Sequence, residues 1–436
     1  MLRLIGPIGF GWAALLCTLI ARADSWVVQY TKAGPEVEQA CARHELAACR
    51  QGLLKLETLL DGRQDVIHKL AQVEAELGLT DSALHRLDIY AHSGLDRGDP
   101  GTDSAFAEMR KQGRLDRIIR AYRAGQTAQT AHERIATLGD SDLVAEDIVC
   151  DRARGSFLIS SVRKRKILRL GADGKTSDFV AQANPPLWGV FALGLDSQRH
   201  VLWTTTATLP VSPPFAREEA DQSAVLAFDA NSGALISRYP GSAGEKHSFG
   251  DLTVAPGGEV YVSDGVGGEV YVLASAKGSQ LASVVEPGEL GSPQTPALTP
   301  DGSRLFVPDY MRGIAVVDPR THVVTWLKHP PEVALFGIDG LYLEGHTLVA
   351  IQNGTAPERI IMLRLNEAFD RAVSWRVLLA RAPGLGDPTH GCLHRGEFSF
   401  IANSGWDQFR DDGERDPKVT PRPPEIWKIP VPEGAR

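Results

Sequence analysis

The sequence predicts an all-β six-bladed propeller preceded by a small α-helical domain. Three observations lead there. A motif of short strands returns six times after residue 145, beginning at Glu146, Val190, Gly250, Gln294, Ile338 and Thr389, as EDIVCDRARGSFLISS, VFALGLDSQRHVLWTT, GDLTVAPGGEVYVSD, QTPALTPDGSRLFVPD, IDGLYLEGHTLVAIQNG and THGCLHRGEFSFIANSG. Each copy runs for roughly 40–60 residues of alternating strands broken by Asp/Gly turns, a period that suits propeller blades rather than stacked helices. Before the copies, the apolar residues instead recur at three- and four-residue steps. One copy cannot bury both faces of its sheet, so the copies must stack around an axis and leave a central channel.

At the N-terminus, Arg3 precedes an apolar run from Leu4 to Ile20, and Ala21-Arg22-Ala23 fits a small-residue cleavage site. Residues 1–23 therefore read as a signal peptide, giving an exported, periplasmic or secreted, protein that keeps no stable membrane span. Lipid attachment at Cys17 is disfavoured by the preceding Leu16. Residues 24–130 form the helical segment, with helices expected from about Pro35 to Gly125. Within it, Leu70-Ala71, Gly78, Ala83, Leu87 and Tyr90 resemble one tetratricopeptide unit, with Thr80 or Asp81 as the cap of its second helix. A single unit does not make a solenoid, so the segment reads either as a cap packed on the propeller or as a site for a protein partner.

Residues 131–436 are the propeller. Its last copy supplies only three strands before the chain ends, and an open edge would leave unpaired backbone groups. Arg134–Leu138 is the expected donor of the missing outer strand. The basic run Arg163-Lys164-Arg165-Lys166 lies in a turn of the first copy, and with a net charge of −8 it does not make nucleic acid the expected partner.

Four cysteines follow the cleavage site. Cys41 and Cys49 would stand about 12 Å apart on one continuous helix, so they can pair only if the helix breaks near Ala42 to Glu45. Cys150 and Cys392 lie on the inner strands of the first and last copies. Counted from the strand starts they have the same parity, which favours two buried thiols over a bridge.

The residues that open the inner strands ring one mouth of the channel: Glu146, Phe191, Gly250, Gln294, Asp339 and His390, with Asp147 and Asp251 beside them. Carboxylates converging from separate blades require a cation or shared protons, and oxygen donors suit Ca2+. The alternative is that these acids only cap turns at the strand entrances. The sequence contains no phosphate-binding glycine loop, no H-E-x-x-H, no C-x-x-C and no G-x-S-x-G. His44, His68, His85 and His92 fall in the helical segment, and His394 lies one strand pitch deeper than His390.

Over about Leu143 to Val431, the segments AEDIVCDRARGSFLISS, GDLTVAPGGEVYVSD, SPQTPALTPDGSRLFVPDY and GIDGLYLEGHTLVAIQNG resemble the senescence-marker-protein/gluconolactonase family and the related paraoxonases. The resemblance implies a Ca2+ ion in the channel that polarises a lactone or ester carbonyl. Glu146 matches the first-blade ligand and Asp339 the late-blade ligand that doubles as base. Where the family opens Asn-Asp this chain has Gly250-Asp251, and where it has S-P-N-G this chain has Ser292-Pro293-Gln294-Thr295. The expected metal set is Glu146, Asp251, Gln294 and Asp339, with Asp339 and His390 as catalytic residues. Two functions follow: a Ca2+-dependent hydrolase of a lactone or ester, or a non-catalytic propeller that binds a ligand or protein at its mouth. Leu209–Ala224 and Gly405–Pro424 are the expected walls of that mouth.

Overall fold

A computed structural model describes residues 25–181, 187–215, 220, 222–242, 244–274 and 280–432. The predicted signal peptide lies outside these residues. Among the described residues, six α-helices precede six four-stranded antiparallel sheets. The strands, numbered β1 to β24 in chain order, form blades 1 to 5 as β2–β5, β6–β9, β10–β13, β14–β17 and β18–β21. The inner strands are β2 (Ala145–Asp151), β6 (Gly189–Asp196), β10 (Phe249–Val254), β14 (Ala297–Leu298) and β18 (Ile338–Glu344). Aliphatic clusters fill the gaps between neighbouring blades, as where Ala192, Trp203 and Val225 of blade 2 meet Leu252 and Val262 of blade 3.

Blade 6 is completed as expected. It runs β1 (Glu133–Thr137), β24 (Glu425–Pro430), β23 (Glu397–Asn403), β22 (Gly391–His394) from the outside inward. β1 lies antiparallel to β24, pairing Arg134 with Trp427 and Thr137 with Glu425, so the chain's early part closes its last blade.

The helical segment begins earlier than Pro35. Helix α1 spans Trp26–Ala42 with Ser25 as N-cap, and Pro35 lies inside it. Proline is often a start signal, but here the first turns are held by Trp26, whose Nε1 donates to the Glu289 carbonyl of the propeller at 2.9 Å. Helices α3 (Gln64–Glu76) and α4 (Thr80–His92) meet at Gly78, where φ is +74°. Leu70, Ala71, Ala83, Leu87 and Tyr90 are all fully buried. Neither Thr80 nor Asp81 caps α4: the N-cap position is Leu79, and both lie within the first turn, where the Asp81 charge still complements the helix dipole.

Both cysteine pairs are bridged. α1 ends at Ala42 and α2 (Leu46–Leu59) starts four residues later, a break that brings Cys41 and Cys49 to a Cα separation of 4.8 Å. Cys150 and Cys392 also form a disulfide, against the expectation of two thiols. The reason is a β-bulge. Between Ala145 and Ile148 the β2–β3 register slips by one residue, whereas β22–β23 stays in register. One extra residue inverts the facing of everything beyond it, which brings Cys150 round to Cys392.

The helices sit on the end of the propeller where the inner strands begin. Arg63 donates to the Met311 carbonyl at 3.2 Å, Gln64 to that of Pro331 at 3.1 Å, and Asp96 N–H to that of Ala356 at 2.6 Å. The fully buried Arg359 reaches back to the Ser93 carbonyl at 2.7 Å. Leu95 packs on Ala334 and Phe336 beneath this seam. Among the described residues, no helix is long and apolar enough to cross a membrane.

Candidate active site

The inner strands aim their first residues by bulging. Register slips occur at 145/148 in β2, 190/193 in β6, 249/251 in β10 and 338/341 in β18, so Glu146, Phe191, Gly250 and Asp339 all fall within bulges. A bulge bends its strand and re-aims the side chains there. Second-strand hydroxyls satisfy the displaced amides: Ser160 accepts from Asp147 N–H at 2.8 Å and Thr205 from Ala192 N–H at 3.0 Å. In blade 5, Gly337 adopts φ +66°, and a Cβ there would come within 2.7 Å of the Gly354 carbonyl carbon. That close approach of two backbones places Asp339 beside Asn353, which donates to Asp339 Oδ2 at 2.6 Å.

Asp251, Asp339 and His390, from blades 3, 5 and 6, converge so that one ligand atom of each lies within 4.8 Å of the others, and all three are buried. His390 is held at both nitrogens. Nδ1 lies 2.9 Å from the Glu146 carbonyl oxygen and Nε2 lies 2.6 Å from Asp251 Oδ1. The same Oδ1 accepts from the Thr295 hydroxyl at 2.7 Å. Burial pushes the Asp339 carboxyl up to about 7, the His390 charge working against that rise, while burial also holds Glu146 well above the carboxylate range. Asp147 rises to about 6 for the same reason, although its oxygens accept from Leu193 and Ile148 N–H groups at 2.6 Å. For His390, burial favours the neutral ring, but Asp147, Asp339 and Asp251 together outweigh it and hold the ring well above its usual value.

Of the expected metal ligands, Asp251 and Asp339 come together with His390 in a group that could hold a metal ion, while Glu146 and Gln294 have partners of their own. Glu146 accepts a hydrogen bond from Trp406 Nε1. Gln294 turns its amide onto Ser292, donating to the hydroxyl at 3.1 Å and to the carbonyl at 3.3 Å. Gly250 offers no side chain, and its carbonyl accepts from Thr205 Oγ1 at 3.2 Å. What converges is two carboxylates and one imidazole nitrogen. Ca2+ takes six to eight oxygens, so the side chains brought together here do not make a Ca2+ cage.

Several residues of the site were not singled out from sequence. Asn353 orients Asp339 and is itself held by the Tyr310 hydroxyl at 3.0 Å; it lies in the IQNG turn, which reads as turn chemistry alone. Thr295 follows Gln294 in SPQT and carries no motif of its own. Tyr342 accepts from the Gly391 N–H at 2.7 Å beneath the cluster. Trp406 belongs to the expected Gly405–Pro424 wall and also packs against Phe191 at 6.4 Å. That wall meets the Leu209–Ala224 loop: Arg163 donates to the carbonyls of both Val211 and Gly413 at 3.0 and 3.1 Å. Residues 216–219 and 221 of that loop lie outside the described residues. The basic run is tied down locally, Arg163 and Lys164 pairing with Asp142 and Lys166 with Asp178.

Below the cluster the channel continues as a cavity of about 280 Å³. Asp147, Thr295 and Tyr342 line its upper part. Farther down, each blade contributes one half-buried aliphatic residue: Val149, Leu195, Val254, Leu298, Leu343 and Leu393. The acid cluster is thus polar above and bounded by aliphatic side chains below.

No protein-family model matches the chain, and no curated protein matches it. Solved structures do. An aldose sugar dehydrogenase from Streptomyces coelicolor is 12% identical, covering 70% of this chain and 100% of its own, with a TM-score of 0.48. A gluconolactonase from Xanthomonas campestris is 18% identical over 70% of this chain and 96% of its own, with a TM-score of 0.45. A luciferin-regenerating enzyme is 13% identical over 69% of this chain and 95% of its own, with a TM-score of 0.47. The likeness is one of fold, and the six blades stand on the strand pairing itself.

Proposed function

We propose that the end of the channel where the inner strands begin is the active site of a hydrolase acting on a small lactone or ester. The observation that carries this reading is the buried convergence of Asp251, Asp339 and His390 from three separate blades. Desolvating three ionisable groups together costs stability, and buried clusters of this kind concentrate at functional sites. Asp339 is the general base. A carboxyl pushed up to about 7 is half ionised near neutral pH and so is matched to accepting a proton from water. Asn353 fixes its Oδ2, leaving Oδ1 to take that proton. The water oxygen bonds to the carbonyl carbon, the ring or ester C–O bond breaks, and the proton returns from Asp339 to the departing alkoxide. His390 supplies positive charge beside the site, and Thr295 and Asp251 hold it in place.

The Ca2+ implied by the family resemblance is not assigned a step, because the donors that converge do not suit it. Export is part of the proposal, and the two disulfides support it, since such bonds persist in oxidising compartments. The test is turnover of a broad panel of lactones and esters by the full mature chain, with Asp339→Asn as the control. Loss of a general base should lower kcat by about 10²–10⁴-fold. Absence of turnover on every member of the panel, or turnover untouched by Asp339→Asn, would remove the reading.

A further inference from the structure

At the end opposite the acid cluster, the channel closes on a ring of aliphatic side chains. Val149, Leu195, Val254, Leu298, Leu343 and Leu393, one from each blade, lie within two residues of the end of their inner strands, and all six stay half-buried. Concave apolar surface that folding leaves open is surface a ligand can cover, and covering it is favourable. The cavity above the ring measures about 280 Å³. An aliphatic cavity of about 150 Å³ accepts a benzene molecule, so this one takes a ligand of roughly twice that size. Its roof demands no polar partner: Asp147 accepts two N–H groups, the Thr295 hydroxyl donates to Asp251, and the Tyr342 hydroxyl accepts from Gly391.

The rim beside the ring is basic where blades 1 and 6 meet. Arg152, directly after β2, donates to the Leu393 carbonyl at 3.5 Å, and Arg395 directly follows β22. Both side chains are exposed, and neither forms an ion pair among the described residues. The acids around them are already taken: Asp151 by Arg154 and Arg169, Glu344 by the N–H groups of Arg395 and Gly396, and Glu397 by Lys428. We infer that this end of the channel binds a free aliphatic carboxylate, with its chain threaded into the ring and its head group at Arg152 and Arg395. A ring around one axis admits one chain, which excludes a two-chain lipid, and an anionic head is what two guanidiniums without carboxylate partners attract. The site lies at the other end of the channel from the acid cluster, so the inference goes beyond the hydrolase reading and stands without it.

The experiment titrates the full mature chain calorimetrically with hexanoate, octanoate, decanoate and dodecanoate, each below its micelle concentration, and with the primary alcohols of the same lengths. The dissociation constant is expected to fall about fourfold for each added methylene until the chain fills the cavity, and then to level off. Carboxylates should bind more tightly than the matching alcohols by up to about fivefold at low salt, a margin that the double variant Arg152→Gln/Arg395→Gln removes and added salt erodes. Leu298→Gln, which places an amide in the ring, should weaken decanoate binding. Should that variant fail to fold, Leu343→Gln makes the same test, and the chain-length series on the wild type decides without either. No binding of any chain, an affinity independent of chain length, or decanoate binding untouched by the ring variants would overturn the inference. A carboxylate margin that survives the double arginine variant would overturn it too. Association with anionic phospholipid vesicles in place of free carboxylates would give the mouth to a membrane surface and overturn it as well.

Discussion

At the scale of single residues, the site is governed by desolvation. Asp339 is only 8% exposed, and burial is the largest cause of its rise to about 7. A base must be ionised to act, so the rate should climb as pH rises through about 7 and level off above it. Replacing Asn353 by Ala removes the hydrogen bond that lowers this carboxyl. The rising limb of kcat/KM against pH should then move to higher pH, with Tyr310 left without its partner. A limb that stays in place would show that Asp339 is not the titrating base. The same residue scale explains why part of the site was readable. Glu146, Asp339 and His390 open strands in a repeated motif, and repetition marks their position without a structure. Asn353 and Trp406 sit in turns, where the sequence carries local turn chemistry but no sign of direction.

At the scale of elements, two of the contacts between distant parts of the chain differ in how legible they are from sequence. A four-stranded blade with three strands at the C-terminus demands a donor, and β1 supplies it. Removing residues 131–138 should expose the β24 edge and give a protein that self-associates in sedimentation analysis. A monomeric product of unchanged Tm would show the strand to be dispensable. The other contact, Arg359, carries no sequence signal, because arginine in a strand reads as a solvent-facing residue. It is fully buried, bonded to Gln352 at 2.8 Å and to the Ser93 carbonyl, and its guanidinium is pushed down to about 9 by burial. Gln352 in turn donates to the carbonyls of Ala334 and Phe336, so one network joins helix end, blade 5 and the seam between them. Arg359→Met keeps much of the volume but leaves Gln352 and Ser93 unpaired, which should cost about 2–4 kcal/mol in denaturant unfolding. Faster proteolysis around residues 93–101 should accompany it. An unchanged or raised stability would assign the arginine to orientation of the helical cap rather than to its hold.

Over the whole molecule, ring closure and the acid content set the stability. The Cys150–Cys392 bond spans 242 residues of sequence. In the chain-entropy account a loop of that size is worth up to about 5 kcal/mol. The double variant Cys150→Ser/Cys392→Ser should therefore unfold at lower denaturant than the wild type, and coincident curves would show that β1 alone closes the ring. Asp147, Asp339 and Asp387 are pushed by burial up to about 6, 7 and 8. Each holds its proton more tightly folded than unfolded, where the carboxyl value is near 4. Their contribution is thus complete below about pH 4 and is lost as pH rises through about 6 to 8. His390, raised by its acidic neighbours, acts in the same direction, being lost only above its folded value. The Tm should be higher at pH 5 than at pH 8.5, and the reverse order would contradict the burial of these acids.

The sequence by itself determined the six blades, the helical segment, the closing strand and the strand-entrance ring, because each is written in a period or a repeat that local physics enforces. It also told that Cys41 and Cys49 could pair only across a helix break, which the structure contains. Only the tertiary structure decided which ring residues meet. Alternation assigns faces correctly until one residue is inserted, and the bulges at the strand entrances insert it where the site is built. That single extra residue joined Cys150 to Cys392 against the parity count. The commitment of Gln294 to Ser292, of Glu146 to Trp406 and of His390 to Asp251 was likewise settled by packing. Side-chain direction at a bulge depends on neighbours far away in the chain, and the periodicity of one strand holds no information about them.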